Sequence, residues 1–253
     1  MWVFPLAAAI VAVVFAALVA RELVRRRRPY LACWTIALAM FAAASFAAFL
    51  GILNGWTPAE YRVYWLFGAI LNVPFLAAGE VLLLFRRPWV GTAVLLVMLF
   101  VTAFAFNVVR TAEVNPLALR LHDLPLGKDV FVATVTTRSC PPPGPCVRVS
   151  QGTAYRLAQY FSYTAYVILV AGAIWSAIRM RGRPGLRDRF LGTLGIAIGA
   201  TIVAVGSGVG AGLDVVPVFS ICLALGIAVM FWGFVRASRP PVATTSPSPE
   251  PAA

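Results

Sequence analysis

The chain has 253 residues, of which 61% are hydrophobic and 12% charged, and a net charge of +12. Soluble domains carry about 25% charged residues, so this composition excludes a soluble globular protein and puts most of the surface in lipid. The positive charge does not mark a nucleic-acid binder, because the arginines form short clusters at the ends of apolar runs and not one patch.

A membrane span needs about 20 mostly apolar residues, and seven stretches qualify. The first covers residues 2–20 and ends in Arg21 and then Arg25 to Arg28. It lacks a positive segment before its apolar run, which favours an uncleaved anchor over a signal peptide. The second covers 30–53, followed by a turn at Asn54, Gly55, Thr57 and Pro58. The third covers 61–85 and stops at Arg86 and Arg87. Pro88 opens the fourth, 88–106, a position that suits proline because the missing N–H has no helical partner there.

A long polar connection, 107–153, leads to the fifth span, 154–178. A basic loop with Arg179, Arg181, Arg183, Arg187 and Arg189 follows. The sixth span is 190–208, with Gly206-Ser207-Gly208 as a flexible helix end. A glycine-rich turn around Gly210 and Gly212 leads to the seventh, 213–235, closed by Arg236 and Arg239. The expected fold is an all-α membrane protein, a seven-transmembrane-helix bundle over residues 1–239. Residues 240–253, rich in Pro, Ser, Thr and Ala, read as a disordered cytoplasmic tail.

Connections after the odd-numbered spans hold fourteen basic residues, and those after the even-numbered spans hold seven. Six of these seven lie in or beside the long 4–5 loop, where charge counts least. The expected orientation in the cell membrane is therefore N-terminus outside and C-terminus in the cytoplasm.

Within the 4–5 loop, residues 129–138 and 146–150 are rich in β-prone residues and flank a Pro/Gly run. The pattern predicts a small β-hairpin in the outer loop between helices 4 and 5. Cys140 and Cys146 flank its turn in an oxidising compartment, and are candidates for a disulfide. Cys33 and Cys222 lie inside spans and read as packing residues.

Polar groups within spans are functional candidates by default. Span 3 carries Asn72, Pro74 and Glu80. Glu80 lies six residues before Arg86, about 9 Å along the axis. It is either an interfacial acid reaching toward Arg86 or Arg87, or a proton or cation site in the bundle. Pro74 frees the Ile70 carbonyl, and the kink with Asn72 either packs a neighbour or lines a cavity. In span 5, Gln159, Tyr163 and Tyr166 share a face, and Tyr64 of span 3 lies at the same level. These residues predict a polar vestibule between spans 3 and 5, capped by the 4–5 loop. Tyr61 and Tyr155 read as interfacial aromatic belt.

Small residues indicate packing. Gly195 and Gly199 form GxxxG in span 6, and Ala39, Ala43 and Ala47 repeat every four residues in span 2. They suit a close-packed bundle or a dimer seam.

Several chemistries lack their residues. A retinal Schiff base needs a helix lysine, and Lys128, the only lysine, lies in the outer loop. His122, the only histidine, is also in that loop, which argues against membrane haem and histidine-based zinc sites. No metal or cofactor is expected, and an enzymatic role is disfavoured. The string YRVYWLFGAILNVPFLAAGE, Tyr61 to Glu80, and the glycine-rich final hairpin resemble uncharacterised seven-helix membrane proteins of GC-rich bacteria. The resemblance implies the fold and no activity. Two functions remain. One is a sensor or accessory subunit that binds a protein partner, lipid or small ligand on its outer side, with a homodimer allowed. The other is a small transporter or channel using Glu80 and Asn72.

Overall fold

Prolines open three of the long helices. In this computed structural model, Pro29, Pro58 and Pro88 each stand in a helix's first turn, where a missing N–H costs little. The structure describes residues 2–85, 87–120, 124–137, 146–180, 187–213 and 216–237. Among them, seven helices are long and apolar enough to cross a membrane. These are α1 Val3–Arg26, α2 Pro29–Asn54, α3 Pro58–Leu84 and α4 Pro88–Thr111. After the loop come α5 Thr153–Met180, α6 Arg187–Leu213 and α7 Val216–Ala237. The chain is a polytopic membrane protein, since lipid requires backbone groups to be paired internally.

Several helices outrun their apolar stretches. α1 continues through Arg21 because Glu22 pairs with Arg25 at 3.5 Å and with Arg26 one turn on. Arg27 then ends the helix in a left-handed conformation, φ 48°. Between α2 and α3 the chain turns at Gly55, φ 88°. Thr57 caps α3: its hydroxyl accepts from the Glu60 N–H at 3.2 Å, and the Glu60 carboxylate accepts from the Thr57 N–H at 3.0 Å.

α6 departs from the sequence reading. The glycine-rich turn expected at Gly210 and Gly212, and the helix end expected at Gly206 to Gly208, are helical through Leu213. Glycine weakens a helix in water. Lipid supplies no competing hydrogen-bond partner, so the helix persists.

Six helices close a ring. α1 packs on α2, α2 on α3, α3 on α5, α5 on α6, α6 on α7, and α7 on α1. α4 lies outside the ring against α3 and α5 and buries the least of the seven. Its Leu95, Leu96, Leu99 and Phe100 are exposed, the surface that lipid covers.

The glycine face of α6 is spent inside the chain. A Cβ on Gly199 would stand 2.6 Å from the Gly226 carbonyl oxygen, and one on Gly192 would stand 2.5 Å from that of Gly233. The GxxxG motif therefore seats α7 and leaves no free dimer seam there. In α2, Ala39 and Ala43 are exposed while Ala37, Ala44, Ala47 and Ala48 are buried. Two of the repeat's three alanines thus face outward and only Ala47 packs, because α2 turns a different stripe inward.

Two strands extend from one end of the bundle. β1 Val132–Thr137 pairs antiparallel with β2 Cys146–Gln151, placing Val132 opposite Gln151 and Thr137 opposite Cys146. Cys140 and the connection between the strands lie outside the described residues, as does the Cys140–Cys146 disulfide expectation. So do His122, Arg86 and the tail 240–253. The end bearing residues 112–152 is termed the loop end. The opposite end, flanked by Arg21, Arg25 to Arg28, Arg87, Arg179 and Arg236, is the arginine end.

Candidate functional site

α3 is not one regular helix. Trp65–Leu71 is π-helical, between α-helical Pro58–Tyr64 and Asn72–Leu84. Pro74 accounts for the position. It cannot donate to the turn before it, and widening that turn is a way to absorb the missing bond. The sequence predicts a kink with a freed Ile70 carbonyl. The structure spreads the defect over two turns, and the carbonyl met by a neighbour is that of Ala69. Ser162 Oγ of α5 donates to it at 2.5 Å. Ser162 carries no signal in the sequence, because a helix serine ordinarily bonds its own preceding turn.

At the loop end, α3 holds down residues 112–120 and 124–131. Tyr61 Oη donates to the Pro125 carbonyl at 3.1 Å, and Arg62 Nη2 to the Ala112 carbonyl at 3.1 Å. Trp65 Nε1 donates to the Ala154 carbonyl at 3.2 Å. Phe131 is fully buried, its ring 5.6 Å from that of Tyr61 and 5.5 Å from that of Trp65. Gly127 is where the cap meets Trp65: a Cβ there would lie 1.8 Å from the indole. Tyr61 is therefore not a belt residue; it is fully buried and anchors the cap. Tyr155 is half-buried, its ring stacked 6.0 Å from Trp65.

Beneath this cap lies a cavity of about 420 Å³. Tyr64, Asn72, Gln159, Tyr163 and Tyr166 all line it. Gln159 Nε2 donates to Tyr155 Oη at 3.4 Å, and Tyr166 Oη to Thr201 Oγ1 at 3.1 Å. Tyr163 stands at the rim, 59% exposed. The opposite wall is mostly apolar, with Ser45 of α2 and Ser207 of α6 as its hydroxyls. It comes from Leu38 and Phe41 of α2, Val203 of α6, and Phe219, Leu223 and Ile227 of α7, and Leu124 to Gly127 close the cap. The vestibule read from the sequence as polar and confined to spans 3 and 5 is thus mostly apolar and bounded by five helices. A side chain lining a cavity and one filling a core both read simply as apolar.

Glu80 does not join the other five residues. It is 6% exposed and lines a second cavity of about 60 Å³ toward the arginine end. Its Oε1 has no hydrogen-bond partner among the described residues. Arg87 is exposed and makes no ion pair with it. Gly172 of α5 gives the side chain room, since a Cβ there would stand 2.6 Å from Glu80 Cγ.

The lining of the larger cavity has no carboxylate among the described residues; its one cation is Lys128, at the cap. No described cluster of three His, Cys, Asp or Glu could hold a metal ion. No family model matches this sequence, and no curated protein matches it as a relative.

Proposed function

We propose that this membrane protein is a non-catalytic receptor that takes a neutral, largely apolar small molecule into the ring of helices. The observation that carries this reading is the wall of the larger cavity. A mostly hydrocarbon wall from α2, α6 and α7, broken by Ser45 and Ser207, faces a short polar row, Tyr64, Asn72, Gln159, Ser162 and Tyr166. Apolar pockets with a few placed polar groups are the common form of small-molecule sites, and about 420 Å³ falls within their usual size. A charged ligand would find no counter-charge at the depth of Asn72.

The same reading places the loop end outside the cell membrane and the arginine end in the cytoplasm. Arg21, Arg25 to Arg28, Arg87, Arg179 and Arg236 support it, since basic residues are retained on the cytoplasmic side. The cap, residues 112–120 and 124–131, then faces outward.

A photoreactive fatty alcohol with an alkyl diazirine tests the site. In vesicles, adducts are expected within Tyr64–Asn72 and Gln159–Tyr166. Labelling confined to lipid-facing α4 contradicts a binding role for the cavity.

A further inference from the structure

Four side chains belong to both cavities: Leu38 of α2, Leu76 of α3, Leu169 of α5 and Met230 of α7. One from each of four ring helices, they form an apolar septum. Asn72 lines the cavity on one side and Glu80 the cavity on the other. Asn72, Leu76 and Glu80 follow i, i+4, i+8 spacing, so they stack on one helix face about 6 Å apart. Leu76 interrupts what would otherwise be a polar stripe from cavity to cavity. Trp34 Nε1 fixes the gate by donating to the Leu76 carbonyl at 3.2 Å.

We infer that the two cavities are halves of one proton path through the ring, with Glu80 as its proton-binding site and the four-residue septum as its closed gate. Apolar constrictions gate by excluding water. Glu80 has the properties of an intramembrane relay acid. It is buried, lines the path, and has an oxygen without a partner among the described residues. Gly172 leaves its carboxyl space. The described side chains facing it from α1, α2, α5, α6 and α7 include no charged group; their polar members are Trp34, Ser176 and Thr193. One carboxyl and two hydroxyls are too few oxygens for a hard metal cation, which takes about six. A proton needs one. This path does not depend on a ligand occupying the larger cavity.

The full-length chain in phosphatidylcholine vesicles, with a pH-reporting dye inside and a valinomycin-set potassium potential, tests the path. Wild type is expected to acidify the lumen slowly. Leu76→Asn wets the septum and should speed proton inflow roughly tenfold, with Leu169→Asn as a second gate variant. Adding Glu80→Gln to either should return the rate to that of wild type. Inflow that stays fast with Glu80→Gln overturns the assignment, as does no acceleration in both gate variants. A measurement on the unaltered chain guards against misfolded variants. Dicyclohexylcarbodiimide, across whose C=N bond the O–H of a buried carboxylic acid adds to leave a stable N-acylurea, should label Glu80 in peptide mass spectra. An unlabelled Glu80 overturns the proton site.

Discussion

Glu80 of α3 lies against Gly172 of α5 so closely that a Cβ on residue 172 would stand 2.6 Å from Glu80 Cγ and 3.1 Å from its Oε1. The only acid deep in a span is thus accommodated by a missing side chain on the neighbouring helix. Gly172→Ala should destabilise the protein by about 1–3 kcal/mol, the usual cost of overpacking. The same substitution beside Glu80→Ala should cost clearly less, because the two residues share the contact. Thermal unfolding in detergent of all four proteins measures this. Equal costs in both backgrounds would show that the contact does not matter.

Gly127 and Trp65 make the corresponding contact in the cap, with a Cβ at 127 falling 1.8 Å from the ring. Gly127→Ala must push the cap off or turn the indole. Amide hydrogen exchange across residues 124–131 should accelerate, by an opening free energy lowered about 1–3 kcal/mol. Unchanged exchange would mean that the indole yields and the cap stays.

Two of the interhelical hydrogen bonds that α5 makes, those of Tyr166 and Ser162, should differ in worth. Tyr166→Phe breaks its bond to Thr201 Oγ1, whose hydroxyl still donates to the Ala197 carbonyl at 2.8 Å. It should cost about 0.6 kcal/mol. Ser162→Ala deprives the Ala69 carbonyl of its donor at the π-helical seam. A partly buried carbonyl left unsatisfied costs up to about 1–3 kcal/mol, so this variant should unfold at the lower temperature. The reverse order would remove Ser162 from the explanation of the seam.

The seven spans were legible because each is a long apolar run ended by charge or proline, and lipid demands that form. Tyr64, Asn72, Gln159, Tyr163 and Tyr166 stood out as polar groups in apolar helices. The cavity's other walls did not. Leu38, Phe41 and Leu223 look like any packing residue, and the empty space beside them has no sequence signature. The separation of Glu80 from Asn72 was hidden for the same reason, since Leu76 became a partition only when Leu38, Leu169 and Met230 met it. The extent of α6 differs from the sequence expectation because Gly206 to Gly212 signal a helix end in water, whereas lipid offers the backbone no competing partner.

The packing of α6 on α7 makes a prediction of its own. A Cβ on Gly233 would stand 2.6 Å from the Gly192 carbonyl oxygen and 2.8 Å from the Ile196 nitrogen. Gly233→Leu should lower stability by about 3 kcal/mol or more while leaving the mass measured by light scattering unchanged. A variant that stayed stable but changed its oligomeric mass would return the glycine face to a dimer.

Ligand binding in the larger cavity is tested most directly by native mass spectrometry of protein released from its own membrane. Ala204 lines that cavity and Leu99 of α4 faces outward, so Ala204→Phe fills the space and Leu99→Phe alters only the lipid-facing surface. Wild type and Leu99→Phe should each carry one small apolar molecule, with occupancy in Ala204→Phe reduced about tenfold, the usual effect of about 1.4 kcal/mol. Equal occupancy in all three, or a bare wild-type protein, would contradict a ligand-binding role for the cavity.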